Sequence, residues 1–226
     1  MTDNAHPRNS LTDAPQGASV LQLQLGLLDL LRRFFIGGLT DEFLAIVGGI
    51  DAVDLDGASP TSAGLGRMIH AVEVGIAESD QFGEKLRIEY TRLFEGPGQM
   101  PVVPFASFHL SRSKALMTQD TLSVRASYLE AGLAVEALNQ EPDDYIGIEL
   151  EFLWFLTREA LLALQAGDID AAHKRLAQRY AFVDGHFQRW IPFVASSLSD
   201  ATQEDFFAGL AAILVALPAT LAEPRI

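Results

Sequence analysis

Apolar residues in this chain recur at steps of three and four, and hardly anywhere at steps of two. Ile146, Leu150, Leu153, Thr157, Ala160, Leu161 and Leu164 trace one face of a helix. Just ahead, Glu141-Pro142-Asp143-Asp144 supplies a proline that ends the preceding element and acids that suit a helix N-terminus. Gly167 is the stop, so a helix is expected over about residues 143 to 166. The same pattern predicts helices over about 19 to 36, 40 to 49, 60 to 78, 80 to 94 and 121 to 138. Asp168 reads as the N-cap of another, with Ala172, Leu176 and Tyr180 inward; Asp184 to Leu198 is the next, with Trp190 packed in the core. Thr202 caps the last, with Glu204 and Asp205 in its first turn. The expected fold is all-α: a single-domain bundle of about eight or nine helices over residues 19 to 222, behind a disordered tail at 1 to 18.

Composition agrees and excludes several functions. With 49% hydrophobic residues in 226, the chain can build a real core. A formal charge of −14 repels phosphate, which argues against nucleic acid and anionic lipid as partners. Absence of cysteine excludes disulfides, thiolate catalysis and Cys-based metal sites. The Leu31-Arg32-Arg33-Phe34 stretch looks superficially like an export signal, but Asp41 and Glu42 interrupt before any long apolar segment develops. The run Phe206 to Leu217, closed by Pro218, is too short to span a bilayer and reads as a buried helix. A soluble, cytoplasmic protein is expected.

A search for chemistry finds little. Gly64-Leu65-Gly66 sits inside a helical pattern with no strand before it, so it is no phosphate loop. The histidines His6, His70, His109, His173 and His186 share no ligand spacing, and neither a metal nor a cofactor is expected. Glu149 and Glu151 point to different faces of their helix. The chain does not read as an enzyme. Two loops stand out: an acidic one at 51 to 60, and one at 95 to 108 whose Val102, Val103, Phe105 and Phe108 must pack against the core or a partner.

Two segments about forty residues apart carry more. One runs Tyr90-x-x-Leu93-Phe94-x-Gly96-Pro97 and on to Pro104-Phe105-x-Ser107; the other is Glu141-Pro142-Asp143-Asp144-Tyr145. In this order, with Trp190-Ile191-Pro192 after His186, they resemble the signatures of the TorD/DmsD family of redox-enzyme maturation chaperones. The resemblance runs from about residue 20 to 217. One departure is Tyr145, which stands where the family usually has His; a proton-linked role is thereby put in doubt, while stacking and hydrogen bonding survive.

The resemblance implies a TorD-like helical fold and a cytoplasmic chaperone. Such a protein binds the twin-arginine leader and the apoprotein of a molybdopterin-containing oxidoreductase, supports cofactor insertion and delays export until assembly is complete. Monomers and domain-swapped dimers both occur among such proteins, with the 95 to 108 loop as a plausible hinge. The implied peptide-binding residues are Tyr90, Phe94, Gly96, Pro97, Pro104, Phe105, Ser107, Glu141, Pro142, Asp144 and Tyr145. Two guanidiniums followed by an apolar stretch call for carboxylates beside a hydrophobic groove. Asp144 and Glu141 are expected to supply the carboxylates, and Tyr90, Phe94 and the 95 to 108 loop the groove. The alternative is an all-helical small-ligand-binding protein or enzyme with an apolar pocket.

Overall fold

The computed structural model describes residues 14–51, 59–96, 100–133 and 142–222. Over these the chain is helical, and no strand occurs among them. Nine helices of eight or more residues and a tenth of five follow in order: α1 Ala14–Gly37, α2 Asp41–Gly48, α3 Pro60–Glu78, α4 Phe82–Phe94, α5 Ala106–Leu110, α6 Gln119–Glu130, α7 Ile146–Gln165, α8 Ile169–Phe182, α9 Gln188–Ala201 and α10 Asp205–Ala222. The expected all-α bundle is the observed one. The N-terminal tail falls outside the described residues up to position 13, as do most of the 51 to 60 loop and the segment at 134–141.

Local chemistry explains where helices begin and end. The side chains of Thr40, Ser59 and Asp168 accept from the backbone N–H groups of Phe43, Ser62 and Ala171, each capping the helix that follows. Gly167 ends α7 in the left-handed region at φ +77°, and Asp168 N–H returns to the Ala163 carbonyl. The structure differs from expectation at several points: α1 begins at Ala14, inside the expected disordered tail; α6 ends at Glu130, with Gly132 in the left-handed region, short of the expected 138; and Tyr180, expected inward on α8, is exposed. The chain runs from α8 to α9 without a break, through a π turn at Val183–Phe187, instead of starting a new helix at Asp184. Pro218 lies inside α10, which continues to Ala222.

Helix α10 packs along α3 and against α9, while α1 packs along α7, which also meets α8. By length and composition α10 could cross a membrane, yet Phe206, Phe207, Leu210, Ile213, Leu214 and Leu217 are fully buried inside the fold. Its close approach to α3 depends on two glycines. A methyl group added at Gly64 would lie 2.8 Å from the Gly209 carbonyl oxygen, and one at Gly209 would lie 2.6 Å from that of Gly64. At the centre of the core the ring of Phe34 meets those of Phe35, Phe43, Tyr90, Phe94, Phe206 and Phe207, all within 6.3 Å between centroids.

Candidate functional site

The two signature segments lie side by side. Phe105 and Tyr145 form an isolated antiparallel bridge, in which Ile146 N–H donates to the Pro104 carbonyl and Ala106 N–H to that of Asp144. The loop leading there is fixed by Val102, fully buried, whose N–H donates to the Leu93 carbonyl at the end of α4. Apolar residues in a surface connection predict such packing, and Val102 is where it happens.

Asp144 is the knot of this arrangement. It is fully buried; Oδ2 accepts the Ser107 N–H at 2.5 Å and Oδ1 the Thr121 hydroxyl at 2.9 Å. Its carboxylate therefore caps α5, a helix in another part of the chain, and fastens the first turn of α6. The expectation that Asp144 faces an incoming guanidinium is not met, because both oxygens are taken and neither is open to solvent. Nor do Tyr90 and Phe94 line a groove. Both are buried in the aromatic core around Phe34, and burial raises the Tyr90 hydroxyl to about 12. Pro104 and Ser107 are buried as well, the Ser107 hydroxyl with no hydrogen-bond partner among the described residues.

What remains at the surface is smaller. Gly96, Phe105, Pro142 and Tyr145 are half-buried, while Pro97 and Glu141 lie outside the described residues. The Tyr145 ring packs on that of Phe105 at 5.4 Å, and its hydroxyl donates to the Phe35 carbonyl near the end of α1. A ring contact and a hydrogen bond are the roles that survive where an imidazole is replaced by a phenol.

Beneath the signature surface lie residues that sequence reasoning missed. Asp143, also fully buried, pairs with Arg125, and its backbone carbonyl accepts the Tyr128 hydroxyl at 2.9 Å. Glu149 is fully buried one turn into α7, held by His186 at 2.7 Å and by the Trp190 N–H at 3.1 Å. Burial lifts its carboxyl to about 7, against the opposing pull of His186. The π turn delivers His186 to this spot, one of the uses such turns commonly serve. Glu151, by contrast, is on the outside of α7, as its offset from Glu149 requires. His109 lies against Trp190 and Phe193 and bonds the Val103 carbonyl at 2.7 Å; burial lowers its pKa. Trp190 is wholly in the core, as expected from its place on a helix.

Two open grooves mark the described surface. One, of about 620 Å³, runs between α3, α4 and the start of α10; the other, of about 680 Å³, lies between α6, α8 and the π turn. Among the described residues no three His, Asp or Glu side chains converge into a group able to hold a metal ion.

Comparison with known proteins gives the chain's relatives. A family model described as the nitrate reductase delta subunit matches residues 60–196. A probable Tat proofreading chaperone DmsD from Haemophilus influenzae is 24% identical over 56% of this chain and 55% of its own length. A chaperone protein TorD from Photobacterium profundum is 26% identical over 58% of this chain and 60% of its own. A Tat proofreading chaperone DmsD from Salmonella typhi is 36% identical over 28% of this chain and 31% of its own. The chain thus spans at most 60% of the length of these curated relatives.

Proposed function

The chain belongs to the nitrate reductase delta subunit family, that of the TorD- and DmsD-type chaperones, and from that premise we propose that it is a redox-enzyme maturation chaperone. In this reading it works in the cytoplasm, as a single helical domain over residues 19 to 222. It binds the twin-arginine leader and apoprotein of a molybdopterin-containing oxidoreductase, keeps the apoprotein open to cofactor insertion and delays export until insertion is complete. It acts by binding and not by catalysis.

The observation that carries the reading is the joining of the two signature segments through Phe105, Asp144 and Tyr145. The bonds there are spent on holding two distant pieces of backbone in fixed register, which is how a rigid recognition surface is built. The half-buried rings of Phe105 and Tyr145 form the face that meets the client. An excess of carboxylates, −14 overall, speeds encounter with a basic leader and makes it sensitive to salt.

The test is a pull-down with the tagged chain from its native host grown anaerobically, read by mass spectrometry. Recovery of a molybdenum-enzyme catalytic subunit with its leader intact supports the reading and identifies the client. Recovery of no such subunit under conditions where one is expressed contradicts it.

A further inference from the structure

We propose that the groove between α6, α8 and the π turn binds a small organic acid, its carboxylate held by His186 and Arg189 and its apolar body lying along Ala181 and Phe182. Such a site is independent of leader binding. Its centre is a buried pair that the chaperone reading leaves unused. Glu149 is sealed, while the His186 side chain is 12% exposed and lines the groove. Nε2 of His186 lies 2.7 Å from one Glu149 oxygen, and the Trp190 N–H fixes the other at 3.1 Å. The ring is thereby held with Nδ1 turned away from Glu149. That nitrogen makes no hydrogen bond among the described residues and is open to the groove. Burial lifts the Glu149 carboxyl to about 7, so the pair is costly, and well-packed apolar residues would serve the core better. A costly buried pair in a cleft, delivered by a π turn, is the mark of a ligand site.

The chemistry around Nδ1 specifies the occupant. When the pair holds two protons, one lies between Glu149 and His186 and the other sits on Nδ1, whichever partner owns the first. The groove is then offered an N–H donor. Arg189 follows one turn later on the same wall; it reaches the Gly185 carbonyl only at 3.4 Å and pairs with no carboxylate among the described residues. A guanidinium beside an imidazole N–H makes a two-point site for a carboxylate. The rest of that wall is small or apolar, with Ala177, Ala181 and Gly185 leaving room and Phe182 giving a ring face. Val124 and Phe152 add apolar surface from α6 and α7. Asp120 and Glu130 on the α6 wall balance Lys174 and Arg189 opposite. A groove without net charge favours a monoanion with a large apolar part over a polyanion. Its volume of about 680 Å³ is in the range of small-molecule sites.

Titration of the full chain with naphthylacetate, followed by NMR at about pH 6, tests the assignment, with naphthylacetamide as the uncharged twin. The carboxylate is expected to shift the imidazole C–H signals of His186 and to saturate, and the amide to bind roughly tenfold or more weakly. Arg189→Gln removes the cation, and Ala181→Leu fills the apolar part of the groove; both positions are exposed, and a thermal melt verifies that the fold is kept. Each variant is expected to weaken the carboxylate roughly fivefold or more. No saturable shift at His186, equal binding of the amide, or affinity that both variants leave unchanged would each overturn the site, and none of these results bears on the leader reading.

Discussion

Asp144 caps a helix to which it does not belong: its carboxylate accepts the N–H of Ser107, thirty-seven residues earlier, while its second oxygen holds Thr121. Through those two bonds one buried side chain fixes α5 and α6 against the start of α7. Replacing it by Asn keeps the shape and loses the charge-assisted bonds, so Asp144→Asn should lower stability by about 1–2 kcal/mol. Asp144→Ala leaves two buried donors unsatisfied and should cost about 3 kcal/mol or more. Urea unfolding of the two variants checks this order. Equal stability in all three proteins would contradict the capping role.

Glu149 makes stability depend on pH in a sense opposite to that of an ordinary paired carboxylate. Burial raises its carboxyl from 4.5 to about 7 in the folded protein, against the pull of His186 and the Trp190 N–H and with the help of Asp144. Between those values the folded chain keeps a proton that the unfolded chain has released. Its contribution to stability is therefore full below about pH 4.5 and declines as pH rises toward 7, by at most about 1.4 kcal/mol per unit. Glu149→Gln removes that decline. The gap in melting temperature between the variant and the natural chain should shift in the variant's favour as pH rises from 4.5 to 7; parallel profiles would contradict the assignment.

Two glycine substitutions should move stability in opposite directions. Gly64→Ala drives a methyl group into the Gly209 carbonyl and Ile213 at the α3–α10 crossing and should cost about 1–3 kcal/mol. Gly26 is an exposed position in α1 whose added methyl would meet nothing within 4 Å, so Gly26→Ala should gain up to about 1 kcal/mol. Denaturant midpoints separate the two.

Tyr145→Phe keeps the ring on Phe105 and deletes the bond to the Phe35 carbonyl. A loss of about 1 kcal/mol in urea unfolding is expected. No change would mean that the hydroxyl does not tether the signature surface to α1.

The helices were legible because their apolar faces and end signals are local: Asp168 caps α8 where its side-chain chemistry suits, and Gly167 stops α7. Trp190 was placed in the core on the same grounds. The site was less legible, since burial of a polar group depends on what the rest of the fold brings to it. Nothing near Asp144 in sequence reveals Ser107 and Thr121, and an acid at a helix start reads as exposed until they are seen. Glu149 reads as one of two ordinary carboxylates because its partners are distant in sequence, His186 within the π turn and Trp190 beyond it.

The most direct test of leader recognition is calorimetric titration of the full chain with a twin-arginine peptide and with its dilysine counterpart, at low and at physiological salt. Carboxylates read guanidinium groups through planar paired contacts that ammonium groups cannot reproduce. The account predicts that the arginine peptide binds, that the lysine peptide binds roughly tenfold or more weakly, and that salt weakens the arginine complex. Equal affinity for the two peptides would contradict it, leaving a surface that attracts positive charge without reading a leader.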